Sequence, residues 1–219
     1  MIMMGEVVVL LTVGLCGGSG TGKTEAQADF ARCGIPGLDT DAVYHTLIAT
    51  DTPLSRELSE HFGKGILASG GGVDRVALSA LVFGDSAESK QRREALNRIT
   101  HRAVLSACRD WLEAQRADGA FAAIINAPLL FESGFHNECD LTVAILAPRE
   151  VRIDRIMQRD GLSRQSAEQR IDAQLDDQFL ITHTDYQINN EGARDALYAK
   201  VVKLASAIKN ISEGKNSGK

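Results

Sequence analysis

The sequence has no CxxC pair, no apolar run long enough to cross a bilayer, and no excess of positive charge. Each absence removes a class of protein. The four cysteines, Cys16, Cys33, Cys108 and Cys139, are widely spaced. That spacing excludes a zinc ribbon or a disulfide framework and suits thiols in a reducing, cytoplasmic setting. Lys and Arg total 24 against 29 Asp and Glu, a formal charge of −5. A uniformly basic nucleic-acid binder is therefore excluded, and any anionic ligand must be met by a local cluster. The apolar run at 7–15 lacks a basic flank and a small-x-small cleavage site, and it is too short to span a membrane. It reads as a buried strand. A hydrophobic fraction of 44% over 219 residues is that of a globular chain, large enough to fold without covalent staples.

Apolar runs alternate with helical patterns, the arrangement of an α/β fold built on a parallel sheet. Expected strands are 7–15, 35–39, 121–127, Leu141–Leu146 and 186–188. Between residues 51 and 119 strand signals give way to helical ones. Pro53 opens a helix carrying Leu54, Leu58 and Phe62, and Gly63 stops it. Asp74 caps a second, with Leu78, Leu81 and Val82, ended by Gly84. A third runs from about Ser86 to Ala117, with Leu96, Ile99, Ala103, Ala107 and Trp111 on one side. Gly70, Gly71 and Gly72 read as a turn. After the fourth strand, Pro148 opens a helix on which Arg152, Arg155 and Arg159 share a face, because i, i+3 and i+7 nearly coincide at 100° per residue. Gly161 breaks this helix. Ser163 caps another expected to reach about Asp177, and the EGKNSGK tail is expected to fray.

The strongest signal follows the first strand. GGSGTGKT at 17–24 matches GxxxxGK[ST] in full. Glycines let successive N–H groups turn inward on a phosphate, and the helix that follows aims its positive dipole end at the same anion. Lys23 supplies a point charge for the β and γ phosphates, and the Thr24 hydroxyl can ligate Mg²⁺. This loop alone implies a nucleoside triphosphate and no more. Motor ATPases need an Asp ending a central strand, whereas the third strand here ends Asn126-Ala127-Pro128. Regulatory GTPases need NKxD and DxxG, and neither is present. A small kinase remains, with an acceptor-holding insertion and a basic lid. Asp39 and Asp41, at i and i+2, are expected to project from one face at the end of the second strand. One could take a proton from an attacking hydroxyl while the other organises Mg²⁺ or caps the next helix; the alternative is that both are ordinary helix caps. The arginine face could be a solvated surface or a set of phosphate cations.

GGSGTGKT, LDTDA, HFGKGIL, VDRVALSALVF, PLLFESGF, RIMQRDGLS and DYQINNEG, in that order, resemble the dephospho-CoA kinase family over nearly the whole chain. The resemblance implies a three-layer P-loop kinase fold: a nucleotide core (1–50, 119–147, 185–219), a helical CoA-binding insertion (51–118) and a lid (148–184). It implies a cytoplasmic enzyme that moves the γ-phosphate of ATP, with Mg²⁺, to the 3′-hydroxyl of dephospho-CoA. No nucleic acid or membrane partner is implied, and the oligomeric state is left open. By position, Asp41 matches the proposed general base, and Lys23 and Thr24 match the phosphate and metal groups. Arg159 matches the lid arginine, and Gly18, Ser19, Gly20, Thr21, Gly22 and Glu25 fall on the ATP loop. Phe62, His101 and Glu132 lie on acceptor-lining segments. The chain departs from the family's usual residues at several points. Cys16 replaces Thr or Ser, Glu25 replaces Ser or Thr, and His45 replaces an Arg for which Arg75, Arg98 or Arg102 could compensate. Arg102 stands where a Pro is usual, and no Asp precedes Asn189 and Asn190. Cys16, abutting the loop, is expected to make turnover sensitive to thiol reagents. A nucleoside monophosphate kinase and a non-catalytic nucleotide-binding module are the alternative readings.

Overall fold

The structure is a computed structural model that describes residues 9–84 and 86–217. Its centre is a five-stranded sheet in the order β2-β3-β1-β4-β5, formed by β1 (Leu11–Cys16), β2 (Gly37–Asp39), β3 (Ala122–Asn126), β4 (Leu141–Leu146) and β5 (Tyr186–Asn189). β1 pairs in parallel with both β3 and β4, and β4 with β5. Every residue of β1 and β3 is buried, as expected of parallel strands covered on both faces. The three-layer α/β expectation is borne out. The first strand starts later than its apolar run, at Leu11, and residues 7 and 8 lie outside the described residues.

Alternation along β1 sends Leu11, Val13 and Leu15 to one face of the sheet. There they join Phe30 of α1 (Lys23–Arg32) and Leu197, Val201, Leu204 and Ile208 of α9 (Arg194–Ser217) in the main core. Fully burying each such side chain contributes about 1.5–3 kcal/mol. On the opposite face Gly14 lies under Leu130 and Cys139, whose atoms come within 2.9 Å of where a Cβ would be. α1 and α9 are also joined by a buried carboxylate: Asp29, fully covered, accepts from both terminal nitrogens of Arg194 and from Arg32 at 3.3 Å. α9 corrects the expectation of a frayed tail. It is helical to Ser217, and its last turns are pinned, Val9 N–H donating to Asn216 at 2.9 Å and Lys215 pairing with Asp140 at 2.8 Å.

Residues up to Leu38 and from Trp111 onward form one compact unit, and Asp39–Asp110 forms a second. In the second unit, α2 (Thr40–Ile48), α3 (Pro53–Phe62), α4 (Arg75–Val82) and the first part of α5 (Ala87–Ala117) enclose Ile48, Leu54, Leu58, Ile66, Leu78 and Ile99. Thr52 and Ser55 form a capping box ahead of α3, and Asp74 caps α4, so the local signals place both starts. α4 ends at Val82, two residues before Gly84. The glycine turn closes by Ala68 N–H donating to Gly72 O at 2.8 Å.

After β4, α6 (Arg149–Asp160) and α7 (Arg164–Asp172) form a hairpin. Its own core is Ile153, Ile156, Ala167 and Ile171. Gly161 takes the left-handed C-cap and Ser163 caps α7 through the Ser166 N–H. α7 stops at Asp172, short of Asp177, because a separate short helix, α8 (Asp177–His183), follows a break.

Candidate active site

β1, at the centre of the sheet, ends at Cys16 and hands the chain directly to the loop at 17–24. The strand order reverses at β1, which is where ligands sit in open α/β sheets. Gly22 is the N-cap of α1 with φ 93°, a left-handed conformation that glycine adopts without strain. A side chain there would also meet Asn190, whose Nδ2 lies 2.3 Å from the Cβ position. Asn190 is buried and donates to Thr21 O at 2.8 Å, bracing the loop from the end of β5. Thr21, also buried, turns its hydroxyl back to Gly18 O at 2.8 Å. Lys23 Nζ lies over the loop, donating to Gly17 O at 2.6 Å and Gly18 O at 3.2 Å. Thr24 and Glu25 stand exposed in the first turn of α1. These residues together form a cationic, N–H-rich bowl at a helix N-terminus, a geometry suited to polyphosphate.

The arginine face of α6 meets this loop unevenly. Arg152 Nε donates to Ser19 O at 3.0 Å, and Arg155 Nη1 to Gly20 O at 3.1 Å. Arg159 instead forms a two-pronged pair with its neighbour Asp160 at 2.8 and 2.9 Å. Arg170 of α7 joins the same carboxylate at 2.5 Å. Hydrogen bonding to Arg159 holds the Asp160 carboxyl down to about 2, so it is ionised at any working pH. Arg159 remains largely exposed at the loop's edge and feels the charge of Glu25.

A recess of about 80 Å³ opens beside the loop, lined in part by Cys16, Gly18, Phe131, Glu132, Gln174 and Leu180. Glu132 of the PLLFE stretch is thereby placed next to the loop, and its charge acts on Cys16. Phe131 packs edge-on against Phe179 of α8, ring centroids 5.3 Å apart. Cys16 is 1% exposed, and burial pushes its thiol up to about 12. Lys23 opposes that shift only in part. Burial and this raised pKa both argue against the expected thiol sensitivity, since little of the thiol is ionised at pH 8. Iodoacetamide applied to the folded protein at pH 8 is therefore expected to leave Cys16 unmodified by peptide mass spectrometry while the more accessible Cys33 reacts. Rapid labelling of Cys16 would contradict the sealed position.

In the second unit, the expected one-face pair of aspartates is corrected. The strand ends at Asp39 and a helix begins at Thr40, so the two side chains do not share a strand face. Asp39 is the N-cap of α2, accepting from the N–H groups of Asp41 at 2.8 Å and Ala42 at 3.3 Å. Asp41 stands exposed in the first turn and does not serve as the cap. Phe62 ends α3, edge-on to His61 at 4.8 Å and packed on the unit's core. His101 is half-buried on α5. Arg102 is paired with Glu57, and the charge of Arg75 reaches Tyr44, next to His45. Sequence reasoning did not single out Gln174, Asp177 or the bracing role of Asn190. All three act through contacts more than twenty positions away.

Among the described residues no cluster of three or more His, Cys, Asp or Glu forms a standing metal site. The exposed Thr24 hydroxyl in the first turn of α1 would suit an ion carried in by a nucleotide, since Mg²⁺ in such sites takes most of its ligands from phosphates and water. No helix among the described residues is long and apolar enough to cross a membrane.

Comparison with known proteins agrees with this geometry. A curated dephospho-CoA kinase of Anaeromyxobacter dehalogenans is 36% identical over 197 residues, covering 90% of this chain and 92% of that one. One of Corynebacterium diphtheriae is 34% identical, covering 84% and 90%. A crystal structure of a Thermus thermophilus protein superposes with a TM-score of 0.74 at 30% identity, covering 90% and 97%. An Acinetobacter baumannii shikimate kinase, at 17% identity and TM-score 0.53, shares the fold over 92% and 96%. The profile of the dephospho-CoA kinase family spans residues 11–195, from the first residue of β1 to the second of α9, and this chain belongs to that family.

Proposed function

We propose that the chain transfers the γ-phosphate of ATP to the ribose 3′-hydroxyl of dephospho-CoA by in-line attack, giving coenzyme A. The observation that carries this reading is the loop of residues 17–24, built on the central strand of a chain matched to the family from 11 to 195. Backbone N–H groups within Gly18 to Thr24, apart from that of Ser19, which is donated to Gln174, and the Lys23 ammonium would hold the β and γ phosphates and stabilise charge as it develops. Asp41 would accept the hydroxyl proton. Arg159, exposed at the loop's edge, would turn from Asp160 to the transferring phosphoryl group, and Glu132, in the recess beside the loop, would face the acceptor. Phe62 and His101 would line the acceptor's path. Mg²⁺, held by the Thr24 hydroxyl and the nucleotide, supplies further charge neutralisation when bound. Residues 51–118 would serve as the CoA-binding insertion and 148–184 as the lid, in a cytoplasmic enzyme.

A coupled ADP-release assay with dephospho-CoA, several nucleoside monophosphates or no acceptor tests this. Release with dephospho-CoA alone is the expected result. Release with a monophosphate alone would reassign the acceptor, and saturable ATP binding without release under any condition would make the chain a binding module.

A further inference from the structure

The main chain of Ser19, in the phosphate loop, is held at both its N–H and its C=O by side chains from outside the loop. Its N–H donates to Oε1 of Gln174 at 2.8 Å, and its C=O accepts from Nε of Arg152 at 3.0 Å. The two side chains are tied together, Arg152 Nη2 donating to the same Gln174 oxygen at 3.2 Å, and Gln174 Nε2 reaches Ser19 Oγ at 3.3 Å. Arg152 Nη1 pairs with Asp177 at 3.0 Å. Three elements thus converge on one residue of the loop: α6 brings Arg152, the segment after α7 brings Gln174, and α8 braces Arg152 through Asp177.

Burial separates Arg152 from the other arginines of its helix face. Its side chain is 4% exposed, and a cation so deeply placed needs both a counter-charge and hydrogen bonds. Asp177 supplies the first, and the Ser19 carbonyl and Gln174 supply the second. The guanidinium lies so close to the loop that a Cβ on Gly18 would stand 2.0 Å from Nη2. Glycine at that position is what permits the contact. Arg152 is therefore a strut already committed to protein partners, in contrast to the exposed Arg159. The Ser19 N–H is likewise committed to Gln174, so Ser19 contributes to phosphate binding by orienting its neighbours.

We propose that Gln174 and Arg152 are positioning residues that fix the two peptide planes meeting at Ser19, so that the phosphate loop reaches its working geometry only with the α6–α7 hairpin docked on it. This rests on the loop's role in holding ATP and is independent of the acceptor. Releasing the bracket lets these two planes rotate, moving the Ser19 carbonyl and the N–H groups beside it. A displacement of about 1 Å at a reacting centre costs up to about a hundredfold in rate.

The test compares Gln174→Met, which keeps the length but has no oxygen, with Gln174→Glu, which keeps an acceptor for both Ser19 N–H and Arg152. Amide hydrogen exchange at Ser19, the ATP dissociation constant by calorimetry, and separate KM values for the two substrates are measured on the full chain. Thermal unfolding midpoints establish that both variants fold. In Gln174→Met, Ser19 exchange is expected to quicken at least tenfold and kcat/KM for ATP to fall about 10- to 100-fold, with KM for dephospho-CoA unchanged. Gln174→Glu is expected to stay within about threefold of wild type on each measure. Wild-type Ser19 exchange in Gln174→Met, or equal losses in both variants, overturns the proposal. Should dephospho-CoA prove not to be the acceptor, Ser19 exchange and ATP affinity still decide it.

Discussion

Replacing Asp41 with Asn is expected to lower kcat by about 10² to 10⁴, the range for removing a general base, while the ATP dissociation constant stays near its wild-type value. Asn keeps the size and shape of the side chain and removes the oxygen that would take the 3′-hydroxyl proton. The structure makes this a clean test because the two aspartates divide their work. Asp39 caps α2, accepting from the backbone N–H groups at 41 and 42, and both donors survive a side-chain change at 41. Asp41 is exposed in the first turn, so the substitution removes no core packing. The helix should persist, and a fall in turnover then belongs to chemistry. The complementary Asp39→Asn change should act on α2 through its cap. Turnover of Asp41→Asn close to wild type, with dephospho-CoA and ATP saturating, would defeat the assignment.

Lys23→Ala should weaken ATP binding and turnover together, with kcat falling by about 10² to 10³, the usual consequence of removing one preorganised donor from developing charge. The Nζ group lies over the loop within hydrogen-bonding distance of Gly17 O and Gly18 O. It is thus pre-placed above the bowl that the loop N–H groups line. Arginine is not a conservative alternative, because a planar fork cannot occupy the place of a compact ammonium. Part of the loss could come from the loop itself, since those two carbonyl contacts also vanish. Urea unfolding separates the contributions: a midpoint near wild type with a weaker ATP dissociation constant assigns the effect to the phosphates. An unchanged ATP affinity would remove Lys23 from the binding site.

What the sequence made legible was local. The P-loop, the capping of α3 and α4, and the Pro148 opening and Gly161 stop of α6 are written in neighbouring residues, and the structure realises each. The aspartate pair shows where period-2 reasoning stops. Asp39 ends the strand by capping a helix, so Asp41 obeys helical and not strand geometry. The final helix is legible in the sequence too: Leu197, Val201, Leu204 and Ile208 recur at helical spacing and all enter the core. Gln174 was not readable at all. Its contact with Ser19 spans 155 positions, and a lone glutamine after a helix carries no local signal of such a partner. The uneven duties of Arg152, Arg155 and Arg159 were hidden for the same reason. Periodicity places three arginines on one face, but which is buried depends on what docks there.

The pinning of α9 beside β1 has a practical consequence. Val9 is tied to Asn216 and Ser212, so the two extremes of the described chain lie together at the edge where β1 begins. The phosphate loop leaves the other end of that strand, about 20 Å away at 3.3 Å per residue over the six residues of β1. A label carried at Val9 or Asn216 would therefore stand at the end of β1 opposite the phosphate loop.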